Sequence, residues 1–335
     1  MEKYIAELYA KCGNINFSKS NYERAIIDYS NASKFDESKS LYVFQLAKCL
    51  QEMHQIEDSL YFYEQAIERA PPLSQELANI KLRRGMMFSK NNQFDKAIDD
   101  FSEALSVKSE KLQFFDLYLE RGKAYRKIGK IDLSISDIGM CLELQKTNTK
   151  PKILANALNE LGLSLFLKGS LEESVDRFTK AIELDPENSM FLNNRGKSNT
   201  AMGFFDQANT DYDQALVLSP LNSIYLHNRG LNFVETKEFI MAHEDFDKAI
   251  EIEPSNGIYL YSKGNAFLLE NNLLDAKNLF IASIKIDSNN IDSHLGLATV
   301  HEKLNMMKNA LEEVDIVTKL NPTNMKALKL KGNIY

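Results

Sequence analysis

Residues 189–222 read SMFLNNRGKSNTAMGFFDQANTDYDQALVLSPLN. Leu192, Gly196 and Asn199 recur at helical spacing in the first half, and Ala208, Tyr212 and Ala215 do so in the second. The spacing predicts two amphipathic helices. Gly203 stands between them, where the first helix must stop, because glycine takes the left-handed conformation without a Cβ penalty. Pro220 closes the unit, since proline cannot continue a helix interior. The arrangement then returns 34 positions on: Gly196 becomes Gly230 and Gly264, Ala208 becomes Ala242 and Ala276, Tyr212 becomes Phe246 and Phe280, and Pro186, Pro220 and Pro254 keep step. Self-similarity at this period is the mark of stacked helix pairs.

The order of these residues resembles the tetratricopeptide repeat (TPR) family: a large apolar residue, L-G, an aromatic, A-x3-F/Y-x2-A, then P. The first Trp of that pattern is absent, and Leu192, Leu226 and Leu260 take its place. The resemblance implies an all-α fold, a right-handed superhelical solenoid of antiparallel helix pairs, with function on the concave face lined by the first helices.

Aligned on the Gly and Ala positions, the chain divides into one array of nine repeats, 6–39, 40–77, 78–114, 115–154, 155–188, 189–222, 223–256, 257–290 and 291–324, with a partial repeat or capping helix at 325–335. A close-approach site reads Gly13, Ala47, Gly85, Gly122, Gly162, Gly196, Gly230, Gly264, Ala298 and Gly332; facing it are small residues from Ala25 to Ala310. Bulky knobs from Tyr29 to Val314 are expected to fill the space between successive pairs. Turn sites fall at Gly129, Gly169, Gly203, Asn92, Asn271 and Asn305, residues that tolerate the left-handed region. Residues 71–77, 105–114 and 145–154 break the period, so the first four repeats are expected to be less regular than the last five, and Pro151 predicts a helix boundary near Lys150. The apolar face Leu328, Leu330 and Ile334 has no second helix after it, which points to a fragment of a longer chain and to possible self-association.

Composition is ordinary for a soluble protein, 44% hydrophobic and 26% charged over 335 residues. The net charge of −7 argues against nucleic acid as the main partner, and it is uneven: residues 1–154 sum to +1 and 155–335 to −8. Cys12, Cys49 and Cys141 lack metal-ligand spacing and are read as buried small hydrophobes, in keeping with a reducing, cytoplasmic location. The N-terminus lacks the apolar core of a signal peptide, and no run approaches the roughly 18 apolar residues of a membrane span. Abundant asparagine is attributed to genome composition.

No catalytic motif stands out: there is no phosphate loop, no G-x-S-x-G and no H-E-x-x-H, so neither an enzyme activity nor a metal or cofactor is expected. His294 and His301 are read as packed, hydrogen-bonded side chains, and Asp99-Asp100 and Glu312-Glu313 as solvated outer faces. Groove-facing sites are the second, fifth, sixth, ninth, twelfth and thirteenth of each repeat. They gather Asn159, Asn193, Asn194, Lys197, His227, Asn228, Tyr261 and Asn265 as a candidate surface for an extended peptide, since amides both donate and accept. Asn194 and Asn228 share one site in adjacent repeats and resemble a short form of the asparagine ladder in the repeat arm of O-linked N-acetylglucosamine transferase. A second candidate is a basic patch of Arg83, Lys123, Arg126 and Lys127, suited to an acidic or phosphorylated segment. The clamp by which some family members hold chaperone C-termini is incomplete: the nearest match, Asn14, Gln45 and Arg83, lacks both lysines. The expected role is a non-catalytic scaffold in a larger assembly, such as a transport, cell-cycle, ciliary or axonemal complex. The alternative is the substrate-recruiting arm of an enzyme whose catalytic domain lies elsewhere, with a co-chaperone role last.

Overall fold

The computed structural model describes residues 1–107, 114–144 and 149–334; among these there are nineteen α-helices and no strand. They fall into two compact units, Met1–Gly169 and Ser170–Tyr335. The first holds α1 (Glu2–Ser18), α2 (Tyr22–Phe35), α3 (Ser40–Glu52), α4 (Ile56–Arg69), α5 (Gln75–Lys90), α6 (Phe94–Leu105), α7 (Phe114–Lys127), α8 (Ile131–Glu143) and α9 (Pro151–Lys168). The second holds α10 (Leu171–Leu184), α11 (Ser189–Ala201), α12 (Phe205–Leu218), α13 (Ser223–Glu235), α14 (Phe239–Ile252), α15 (Gly257–Leu269), α16 (Leu273–Ile286), α17 (Ile291–Lys303), α18 (Met307–Leu320) and α19 (Met325–Ile334). From α11 to α18 the lengths alternate strictly between 13 and 14 residues, while in the first unit they range from 12 to 18. Lys150 caps α9 in extended conformation, as Pro151 requires, and the residues before 155 join that helix. Two of the period breaks, 105–114 and 145–154, lie partly outside the described residues.

Much of the asparagine has a structural purpose. Asn188, Asn222, Asn256, Asn290 and Asn324 precede successive first helices, and each side-chain oxygen accepts from a backbone N–H of the first turn. A cap of this kind stabilises a helix by about 1 kcal/mol. The predicted turn sites have φ between +58° and +86°. Ser20, His54 and Lys237 hold the equivalent turns at positive φ without being glycine or asparagine.

The packing refines the role of the aromatic knobs. Each ring lies against the glycine of its own pair: a Cβ on Gly13, Gly85, Gly196 or Gly230 would stand 2.6–2.8 Å from Tyr29, Phe101, Tyr212 or Phe246. The facing small residues are fully buried. Where serine replaces alanine there, its hydroxyl finds a partner: Ser59 donates to the Ala47 carbonyl, and Ser134 and Ser174 pair with Ser164 and Ser198. Gly230→Leu is therefore expected to destabilise the α13–α14 pair by about 1–3 kcal/mol, the cost of overpacking. An unchanged thermal melt would contradict the contact.

Among the described residues, four buried ion pairs recur beside Gly85, Gly122, Gly196 and Gly230. Arg84, Arg121, Arg195 and Arg229 each form a two-pronged contact with the aspartate 16 residues on, Asp100, Asp137, Asp211 and Asp245. The aspartates are 2–6% exposed. Arg229 also donates to Asp213 of the preceding pair, 2.6 Å away. Asp100 is thus an interior residue, contrary to the outer-face reading. Glu313 likewise turns inward to His294 Nδ1 at 2.5 Å. Both histidines are buried as expected, but the Nδ1 of His301 has no hydrogen-bond partner. Cys49 and Cys141 are buried, with thiols pushed up to about 12 chiefly by burial, whereas Cys12 lies on an exposed face of α1. Among the described residues no helix is long and apolar enough to cross a membrane.

Candidate peptide-binding face

Within the second unit, each first helix from α11 onward touches the next: α11 with α13, α13 with α15, α15 with α17, and α17 with α19. Residues at one register of these helices therefore form a continuous surface. Asn193 and Asn194 stand on α11, His227 and Asn228 on α13, and Tyr261 and Asn265 on α15.

The structure joins these residues by a recurring step. The fifth residue of one repeat bonds to the sixth of the next: Asn228 Nδ2 donates to Asn193 Oδ1 at 2.8 Å, and His227 Nε2 lies 2.8 Å from Ser262 Oγ. Asn193 also donates to Asn194, at 3.4 Å. Asn193 and Asn194 are buried, Asn228 and His227 half-buried, and Lys197 exposed beside them. The amides thus face one another, forming a rigid polar floor rather than a row of open hydrogen-bonding groups. The His227 ring lies 4.9 Å from that of Tyr259. Burial, and secondarily Lys197, lower its pKa to about 4, so it is neutral at ordinary pH.

The next step would join Tyr261 to residue 296, but that residue is glycine. A Cβ there would stand 2.6 Å from the Phe280 ring, so the site admits no side chain. Where the bonding stops, a pocket of about 290 Å³ opens. Tyr261, Asn265 and Leu268 of α15 form one wall, Asp292, Leu295, Gly296 and Thr299 of α17 the floor, and Lys326, Lys329, Leu330 and Asn333 of α19 the other wall. Burial first, then Asp292, raises the Tyr261 hydroxyl above its usual range. Tyr261 and Asn265 were legible from the register; the contribution of α17 and α19 was not. Its signal is a glycine at 296, outside the close-approach series that runs through Gly264 and Ala298.

The remaining candidates belong to the first unit. Asn159 is buried in α9. Lys123 donates to both carboxylate oxygens of Glu120, and Arg126 pairs with Glu160, so two cations of the basic patch are locally compensated. Lys127 and Arg83 are exposed. Arg83 acts electrostatically on Lys48, Tyr63 and Asp116: burial dominates at each, and Arg83 lowers all three. Asn14 accepts from the Tyr29 hydroxyl at 2.8 Å, and Gln45 accepts from Lys48 at 3.1 Å.

Comparison with known proteins agrees with this architecture. Residues 155–188 match the family model described as tetratricopeptide repeat. Among curated proteins, the chain is 25% identical over 199 residues to Hsp70-Hsp90 organizing protein 1 of Glycine max, covering 57% of this chain and 32% of that protein. It is 24% identical over 178 residues to the Protein STIP1 homolog of Dictyostelium discoideum, covering 52% and 28%. The chain thus spans about a third of the length of these relatives. Among solved structures, a tetratricopeptide repeat protein from Parabacteroides merdae superposes with a TM-score of 0.56 at 19% identity, over 66% of this chain and 86% of that one. PilF of Pseudomonas aeruginosa does so with 0.53 at 18%, over 66% and 98%. Stacked helix pairs at a 34-residue period, small close-approach sites under aromatic rings, and these matches converge on one fold: the chain is built of tetratricopeptide-type helix pairs, with residues 155–188 matching the repeat's family model.

Proposed function

We propose that the chain is a non-catalytic protein-interaction scaffold that holds an extended peptide segment along the first-helix face of its second unit. The observation that carries this reading is the pocket at Gly296, lined by successive first helices at the groove register. Asn193, Asn194 and Asn228 supply a pre-formed polar floor leading to it. A preorganised surface loses less on binding than one that must order itself.

The test is a random-peptide phage selection on the full chain, with enriched peptides then measured against two variants. Leu231 is exposed on α13 at the groove register, and Ile240 is 78% exposed on the second helix α14. Leu231→Arg is expected to weaken binding about tenfold, equivalent to about 1.4 kcal/mol, and Ile240→Arg to leave it unchanged. The opposite pattern would move the partner to the second-helix ridge.

A second reading concerns the first unit. Four curated relatives are Hsp70-Hsp90 organizing proteins or a STIP1 homolog. Here α1, α3 and α5 carry Asn14, Gln45 with Lys48, and the exposed Arg83. On this reading an acidic chaperone tail docks at Lys48 and Arg83. Arg83→Glu would then abolish binding of an acidic C-terminal peptide; unaltered binding would dismiss the reading.

A further inference from the structure

The Gly296 pocket takes an apolar share of its lining from Tyr261, Leu268, Leu295 and Leu330, beside polar and charged residues. Its volume of about 290 Å³ sits at the bottom of the range of about 300–1,000 Å³ that encloses a drug-sized ligand, so it suits a side chain rather than a whole small molecule. The charges at its mouth are arranged by wall. Lys326 and Lys329 are exposed on α19, and among the described residues no carboxylate forms an ion pair with either. Other cations of the first helices α13, α15 and α19 are committed: Arg229 to Asp213 and Asp245, Lys263 to Asp247, Lys331 to Asp315. Asp292, exposed on the α17 floor, disfavours a carboxylate over the floor itself and leaves the α19 wall as the favourable place for one.

We infer that this pocket is a specificity subsite for a bulky apolar side chain flanked by aspartate or glutamate, the apolar group entering over Gly296 and the acid meeting Lys326 and Lys329. The inference rests on the peptide-binding reading above and adds the chemistry of the peptide. The acid requirement is local, because the half of the chain from 155 onward is net acidic and offers an acidic partner no long-range attraction.

The experiment repeats the phage selection on the full chain and on Lys326→Glu with Lys329→Glu, both confirmed helical by circular dichroism. Wild type should enrich peptides with Leu, Ile, Phe or Met next to Asp or Glu. The charge-reversed variant should bind the best of them about tenfold more weakly, about 1.4 kcal/mol, and enrich basic flanks instead. Thr299→Phe, which fills the floor, should weaken the same peptide without changing the charge preference of what remains. If Leu231→Arg removes binding while the lysine reversal alters neither motif nor affinity, the subsite is wrong and the broader face stands. If none of these changes matters, both fail. Self-association through this face, abolished by the lysine reversal and without peptide capture, would make a second copy the occupant and overturn the inference.

Discussion

Arg229→Leu is expected to destabilise the second unit by about 3 kcal/mol, the low end of the range for breaking a buried pair. The carboxylate of Asp245 is 2% exposed and receives two of the guanidinium's N–H groups at 2.7 Å. Without the arginine it becomes a buried charge with nothing to offset its lost hydration. The Asp213 contact is lost as well, but that acid is exposed and contributes little. Replacing both partners, Arg229→Leu with Asp245→Leu, should recover most of the loss, since an apolar pair of similar volume carries no desolvation penalty. Unfolding in an array propagates between neighbours, so hydrogen exchange across α13 and α14 reads the effect more directly than one melting midpoint. Equal protection in wild type and single variant would show that the pair contributes nothing.

Acid should loosen the same face. His227 has a folded-state pKa of about 4 against an ordinary 6.5, so the unfolded chain binds the proton more readily between those values. Stability from this group is complete above pH 6.5, falls as the pH drops through that window, and levels off below about 4; the loss approaches about 3 kcal/mol. His301 is lowered too, by burial first, and contributes with the same sign, so the comparison must isolate one ring. His227→Asn removes the titration and keeps a side chain able to hydrogen-bond Ser262, as Asn193 at the same register bonds its neighbour by accepting from Asn228. Its unfolding free energy should vary less between pH 7 and 4.5 than that of the wild type; an identical pH dependence would show that His227 binds the proton equally in the folded and unfolded states and that folding does not lower its pKa.

The repeat period was legible because its causes are local. A ring at 212 or 246 demands a glycine at 196 or 230, and a chain reversal demands a left-handed residue between them; such constraints print themselves on the sequence at fixed offsets. The arginine–aspartate pairs were also written there, as Arg-Gly followed 16 residues on by Asp before the bulky residue, but charged residues on an amphipathic helix are ordinarily assigned to water. Asp100 was misplaced for that reason, since its partner Arg84 sits on another helix. Register alone brought Tyr261 and Asn265 to the candidate face. It did not show that the amides before them are spent on one another, nor that Gly296 interrupts the series, because both facts depend on which residue of one repeat meets which of the next.

The two contacts of Arg229 lie symmetrically, 16 residues back to Asp213 and 16 forward to Asp245. One contact is internal to a 34-residue unit and the other crosses its boundary. A tandem duplication that copies in frame a 34-residue window containing Arg229 regenerates both, wherever that window begins. The new arginine finds an acid upstream in the old unit and another in its own second helix. Growth by duplication therefore leaves no buried aspartate stranded at the seam. A single-residue insertion between 214 and 228 has the opposite effect: it shifts the crossing contact while sparing the internal one. Selection against insertions should accordingly be stronger inside helices that carry one end of the crossing pair than at the turns, where the left-handed residues already tolerate varied side chains.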